Sequence, residues 1–324
     1  MRRSEVQGKV IWRKPDSKEF TTMIPGQGSD EFIIAPFDAG HTTYVICGRA
    51  ETTGPNIPAH FFDNIALPSP LNKYSTGETI YTDNVKKAIA AIEQGQFEKV
   101  VIARQLFTDM AANPGKLFKQ LADTYPSAFV YFFQLENGKT MIGATPETLL
   151  KGHHTLIETE ALGGTGRDYG FTEKEFEEHR QIIRDIESKL SQNGFSYTTG
   201  DTTEKKAGPI THLHTPFHIN GLTPEKNRAL PTLLHPTAAI CGLPFQSTFE
   251  FIQKHEDFNR GYYAGYLGLN RSGDFAYYVN LRCADLYNDS TCFYAGAGIN
   301  KGSNPRNEWM ETEEKISTLK RFFV

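Results

Sequence analysis

Short apolar runs alternate with turn residues through the first eighty positions, and longer amphipathic segments follow. Val10-Ile11-Trp12, Phe32-Ile33-Ile34-Ala35 and Thr43-Tyr44-Val45-Ile46-Cys47 predict strands, with a turn at Pro25-Gly26 and a break at Pro68-Ser69-Pro70. Thr82-Asp83 reads as the cap of a helix that places Val85, Ala88, Ile89 and Ile92 on one face and stops at Gly95. A strand, Lys99 to Arg104, comes next, then a helix from Pro114 to Tyr125 with Leu117, Leu121 and Ala122 inward. Ala128 to Phe133 and Met141 to Ala144 predict a hairpin about Glu136-Asn137-Gly138. Thr148 to Lys151 and Thr155 to Thr159 predict another, turning at Gly152-His153-His154. A long helix from about Thr172 to Gln192 and helices near 223–233 and 246–255 lead to three strands: Tyr263 to Leu269, Phe275 to Leu286 and Thr291 to Gly296. Runs of strands interrupted by single helices, without regular βαβ alternation, predict an α+β fold with large, mostly antiparallel sheets. No repeat or Pro/Gly/Ser-rich linker divides the chain, so residues 1–324 are expected to form a single large domain.

Composition narrows the class. The 324 residues are 39% hydrophobic and 12% aromatic, enough for a large core. A net charge of −4 and the absence of a basic face argue against a nucleic-acid partner. No apolar run approaches the ~20 residues that span a bilayer, and the first residues do not form a secretory signal. Cys47, Cys241, Cys283 and Cys292 lie far apart without a C-x-x-C pair, which suggests a reduced, cytoplasmic protein without membrane association.

Candidate chemistry comes from carboxylates at helical spacing. The segment Ala295-Gly296-Ala297-Gly298-Ile299-Asn300-Lys301 reads as a glycine-rich turn feeding a C-terminal helix, whose first turns carry Glu308, Glu311 and Lys315 on one face. Glu175 and Glu178 repeat the spacing on the long helix. Two such pairs suit a hard divalent cation such as Mg²⁺, which takes oxygen ligands and completes its shell with water and substrate. From spacing alone a solvated acidic face is the default, because like charges at this separation cost only about 0.2–0.5 kcal/mol.

Seven separated motifs change that balance: Glu98-Lys99-Val100-Val101-Ile102-Ala103-Arg104, Ala144-Thr145-Pro146-Glu147, Glu160-Ala161-Leu162-Gly163-Gly164-Thr165, Glu178-His179-Arg180, His235-Pro236-Thr237-Ala238-Ala239-Ile240-Cys241-Gly242, Arg260-Gly261-Tyr262-Tyr263-Ala264-Gly265 and the glycine-helix segment. In this order they resemble the chorismate-utilising enzymes, the family containing isochorismate, salicylate, anthranilate and aminodeoxychorismate synthases. The resemblance covers residues 81–324 as the family core and leaves 1–80 as peripheral N-terminal strands. It implies the family's chorismate-binding fold, with Mg²⁺ held by Glu178 and Glu311 and supported by Glu175 and Glu308. A net-negative protein taking a dianion into a glutamate-lined site needs such a cation to invert the local field. The resemblance further implies that Arg282 and Tyr263 hold a chorismate carboxylate, with Gly164, Thr165, Thr215, Gly296, Gly298 and Lys315 lining the substrate site. The guanidinium fork suits a carboxylate. For Lys315 an ordinary i,i+4 bridge to Glu311 stands beside direct substrate contact. His212 and His214 are read as structural.

Lys99 and Glu147 match the family's base and acid for adding water at C2 and expelling the C4 hydroxyl. A lysine ordinarily titrates near ~10.4, so a basic role calls for burial or positive neighbours, whereas an acid role for Glu147 calls for a carboxyl kept neutral. Gly163 stands where lysine supports a covalent adduct in aminodeoxychorismate synthases of that type, and Lys99 is absent from the ammonia-using anthranilate synthases. The resemblance therefore implies an isomerase, an isochorismate synthase of the menaquinone or siderophore type, needing no glutamine amidotransferase partner. Salicylate synthase, which also eliminates pyruvate, is the alternative, and a catalytically silent metabolite-binding protein is the alternative of another class. Many isochorismate synthases carry alanine at the Gly163 position, so glycine there is expected to loosen the loop around the substrate.

Overall fold

The computed structural model describes residues 2–153, 156–166, 170–207, 210–220, 224–271 and 274–323. Strands β1 (Arg3–Glu5), β2 (Gly8–Arg13), β3 (Phe20–Ala35) and β4 (Thr43–Gly54) precede helix α1 (Glu78–Glu93). Next come β5 (Lys99–Thr108), α2 (Pro114–Thr124), β6 (Phe129–Leu135), β7 (Thr140–Thr145), β8 (Thr148–His153) and β9 (Leu156–Gly166). Helix α3 (Glu173–Gln192) leads to β10 (Ser196–Thr199), β11 (Thr203–Ala207) and β12 (Ile210–Asn220). Helix α4 (Pro224–Leu234), β13 (Gly242–Leu243) and α5 (Phe245–His255) are followed by β14 (Tyr266–Arg271), β15 (Asp274–Val279), β16 (Cys283–Leu286), β17 (Thr291–Ile299) and α6 (Pro305–Lys320).

Pairing runs through one continuous path. From β5 it passes to β17, β16, β7, β6, β2 and β3, and from β3 through β14, β15, β8 and β9 to β12. Among the described residues every pairing is antiparallel except that of β1 with β4. This is the expected α+β architecture. No helix among the described residues is long and apolar enough to cross a membrane.

The two arms of this path share a core. Val100 and Ile102 of β5 pack in the same cluster as Leu150 of β8 and Ile157 of β9. Strand β6 shows why its sequence is apolar at nearly every position. Phe129, Tyr131 and Phe133 enter this shared core, while Val130 and Phe132 face a second cluster with Phe118 and Leu121 of α2 and Ile316 of α6. A strand buried on both faces has no polar side to alternate with.

Several expectations are corrected. Residues 1–80 are not peripheral: β2 pairs with β6, β3 with β14, and Val10, Ile11 and Trp12 are fully buried. Pro25-Gly26 does not end a strand but belongs to a bulge within β3, where Pro25 and Asp30 both face Gly48. Helix α1 begins a turn earlier than Thr82, which bonds back to the Glu78 carbonyl from inside the helix. The run Phe275 to Leu286 is two strands, broken where Arg282 takes a left-handed φ of 48°. The glycine segment is strand rather than turn. Gly296 and Gly298 lie inside β17 opposite Ala103 and Val101, and the turn into α6 begins at Asn300. Of the proposed turn at Gly152-His153-His154, His154 lies outside the described residues, as does Thr155 at the start of the expected return strand.

Candidate active site

The two ends of the strand path, β5–β17 and β9–β12, meet helices α3 and α6 around a cavity of about 140 Å³. Lys99, Glu147, Glu178, Arg282, Glu311 and Lys315 all face it. They arrive from five different elements or loops, Glu311 and Lys315 sharing α6, and the fold gathers them.

Lys99 opens β5 with its side chain 3% exposed, and its Nζ donates to Glu178 Oε1 at 2.5 Å. The side chain is buried, as expected. Gly298 leaves room for this pair: a Cβ at that position would stand 3.1 Å from Lys99 Cε and 3.2 Å from Glu178 Oε1. Glycine inside a strand often marks such a close approach. Across the cavity, Lys315 Nζ donates to the Gly296 carbonyl and to Glu311 Oε1, both at 2.7 Å. Lys315 thus makes the i,i+4 bridge to Glu311 while lining the wall.

Glu147 follows Pro146 between β7 and β8. Burial and then the charge of Glu160 push its carboxyl up from 4.5 to about 7, against the opposing pull of Lys99, Lys205 and Lys315. Near neutral pH this group holds its proton about half the time, the condition for a general acid.

Arg282 owes its direction to the left-handed backbone between β15 and β16. Burial lowers its guanidinium from the ordinary value, and among the described residues its side chain has no hydrogen-bond acceptor. A guanidinium in that state is a receptor for an anion. Tyr263 stands nearby on the same wall, its hydroxyl 3.2 Å from where a Cβ on Gly296 would be.

Gly164 is the bulge in β9. Leu213 pairs with Gly163 and His212 with Thr165, which leaves Gly164 between them at φ +68°, while an added Cβ would strike the Glu175 carbonyl. Bulges re-aim neighbouring groups, and His212 is re-aimed here: it lines the cavity and bonds to the Gly164 backbone. Its expected purely structural role is thus corrected. Burial, then Lys315 and Arg282, hold it down to about 4, so it is neutral near pH 7. The signal was available in the polar–apolar–polar run His212-Leu213-His214.

Other placements differ from expectation. Thr215 is not on the wall: strand alternation turns it to the face opposite His214, where its hydroxyl lies 2.8 Å from His179 Nε2 and 2.8 Å from Thr202 Oγ1. Glu175 serves the capping box of α3, accepting from Thr172 N at 2.8 Å, and its side chain does not line the cavity. Glu308 is buried in the first turn of α6, one turn behind Glu311, and is likewise off the wall. The Thr165 side chain lies outside the described residues. Gly163 does not loosen the loop, because Ile182 Cδ1 fills the space that an alanine methyl would take.

The donor set fits a hard cation. Among the described residues no three histidine, cysteine or acidic side chains gather as a complete metal cluster. Mg²⁺ does not need one, since one or two carboxylates beside water and substrate oxygens suffice. Glu178 and Glu311 supply those two carboxylates, and glycine at 298 keeps the space beside Glu178 open.

The family model described as chorismate binding enzyme matches residues 64–324. The chain belongs to the chorismate-binding enzymes. Among the relatives of this chorismate-binding enzyme is the isochorismate synthase EntC of Escherichia coli K12, 29% identical over 263 residues, covering 76% of this chain and 67% of the relative. The isochorismate synthase MenF of Haemophilus influenzae is 26% identical over 326 residues, covering 92% and 76%. In fold the chain is similar to the menaquinone-specific isochorismate synthase MenF of Escherichia coli, with a TM-score of 0.81, 19% identity and coverage of 98% and 89%.

Proposed function

We propose that this chorismate-binding enzyme is a Mg²⁺-dependent isochorismate synthase, an isomerase that adds water at C2 of chorismate and releases the C4 hydroxyl. The observation that carries the reading is the meeting of Lys99 and Glu147 on one cavity with the guanidinium of Arg282 and two carboxylates, Glu178 and Glu311. Relatives named isochorismate synthase support it.

Arg282 and Tyr263 hold one carboxylate of the dianion, and the backbone of Gly296 and Gly298 lets the ring approach β17. Lys99 takes a proton from the water that attacks C2. Glu147 gives its proton to the departing C4 oxygen, so one water enters and one leaves. Glu178 and Glu311 would hold Mg²⁺, with Glu175 and Glu308 one turn behind them, and the ion would supply the positive charge that a glutamate-lined site needs to accept a second carboxylate. The product feeds menaquinone or siderophore synthesis, and no amidotransferase subunit is required.

Incubation with chorismate and Mg²⁺, followed by chromatography, tests the reading. Isochorismate as the product supports it. Salicylate with pyruvate makes the enzyme a synthase with lyase activity, and unaltered chorismate makes it a binding protein.

A further inference from the structure

A second carboxylate stands behind Glu147. Strands β9, β12 and β11 lie side by side, and Glu160, His214 and Lys205 come together across them. Glu160 Oε2 accepts from Lys205 Nζ at 2.6 Å and lies 2.8 Å from His214 Nε2. Among the described residues its other oxygen, Oε1, is buried without a partner, and so is Thr237 Oγ1. Both residues line, together with Glu147, a second cavity of about 10 Å³. That is the room one water needs, and three polar groups are the partners it needs.

We propose, resting on the assignment of Glu147 as the acid, that Glu160 is its positioning residue: a carboxylate fixed in the charged form by Lys205 and His214, which through one buried water keeps the proton on Glu147 until the C4 oxygen leaves. The two carboxylates have opposite surroundings. Burial alone would raise Glu160, but the bonds from His214 and Lys205 outweigh it and hold this carboxyl below its ordinary range. Glu147 feels burial first and the Glu160 charge second, both upward. Lys99 from β5, Lys205 from β11 and Lys315 from α6 oppose them, and Glu178, Glu311, Arg282 and His212 line the larger cavity that Glu147 also faces. Environments that push two acids apart assign their roles. Glu160 lines only the smaller cavity, so it does not reach substrate.

The test is the pH dependence of kcat/KM for isochorismate formation in wild type, Glu160→Gln and Glu160→Asp. Glutamine keeps the shape and an acceptor for Lys205 and His214 but removes the charge. Its falling limb at high pH is expected to move down by about one pH unit, with kcat/KM about tenfold lower above the limb and KM below it unchanged within about twofold. Aspartate, which restores the charge, returns the limb toward wild type. Thr237→Val, which removes a partner of the water, moves the limb in the same direction by less and serves if the glutamine variant does not fold. A limb that stays in place in either folded variant, while wild type makes isochorismate, overturns the proposal. Wild type making no isochorismate overturns instead the assigned reaction, which separates the two failures.

Discussion

Gly163 and Ile182 form a pair whose energetics follow from one distance. A Cβ built on Gly163 would lie 2.2 Å from Ile182 Cδ1 and 3.7 Å from its Cγ1, whereas carbon atoms pack at about 3.5–4.0 Å. Gly163→Ala therefore forces Cδ1 to move by more than ~1 Å, inside a site where Ile182 is 2% exposed. Crowding of this kind costs about 1–3 kcal/mol, and the reduced freedom of the unfolded chain returns about 0.4–1 kcal/mol, so a net loss of about 1 kcal/mol is expected. Ile182→Val removes the clashing methyl and by itself costs about 0.5–1.5 kcal/mol. In the double variant the new methyl occupies the volume that Cδ1 vacated. Its stability should return to near wild type, giving a coupling of about 1.5–2.5 kcal/mol in favour of the pair. Urea unfolding followed by circular dichroism, with unchanged m-values, measures all four corners. Additive single effects, or a Gly163→Ala variant more stable than wild type, would refute the packing argument.

Three further outcomes are expected. Lys99→Ala should lower turnover by at least ~10²-fold while Mg²⁺-dependent chorismate binding, read by calorimetry, changes little; unchanged turnover would remove Lys99 as the base. Gly298→Ala puts a methyl 3.1 Å from Lys99 Cε and 3.2 Å from Glu178 Oε1, so kcat/KM should fall about tenfold or more with a melting temperature close to wild type. A fully active variant would show that the space beside Glu178 is not needed. Because the folded-state value for Glu147 lies near 7 and its ordinary value is 4.5, the folded protein binds the extra proton between those values, and its stability falls as pH rises through that window. The loss is at most about 3 kcal/mol, and Glu147→Gln should abolish it in urea titrations at pH values below and above the window. An equal pH dependence in wild type and variant would place the cause elsewhere.

The elements most legible in the sequence are those with an unbroken local signal. Helix α3 begins at Thr172 with its capping box, and the Asn137-Gly138 turn closes β6 on β7 as expected. Strands β10, β11 and β12 went unread as strands. Residues 196 to 220 carry two prolines and three histidines, and their inward apolar positions are few: Leu213, Phe217 and Ile219. The pairing of β12 with β9, some fifty residues back, and of β10 and β11 with β12 supplies a reason for extension that no local window contains.

The site follows a related rule. Carboxylate spacing on α3 and α6 was visible, but spacing does not say that Glu178 and Glu311 share a cavity while Glu175 caps a helix. What turns each group inward is an interruption of a regular element: the Gly164 bulge that re-aims His212, the left-handed Arg282 that splits an expected strand, and the missing side chain at Gly298. Periodicity predicts elements because it is averaged over many residues, and an interruption is by nature a single residue. Glu160 makes the same point for charge: its role depends on Lys205 and His214 arriving from two other strands, and in the linear sequence it is one acid among thirty-eight. A reading that looks for buried, doubly paired carboxylates behind a candidate acid, and for single breaks in otherwise regular strands, would find in the fold the groups that spacing alone leaves unassigned.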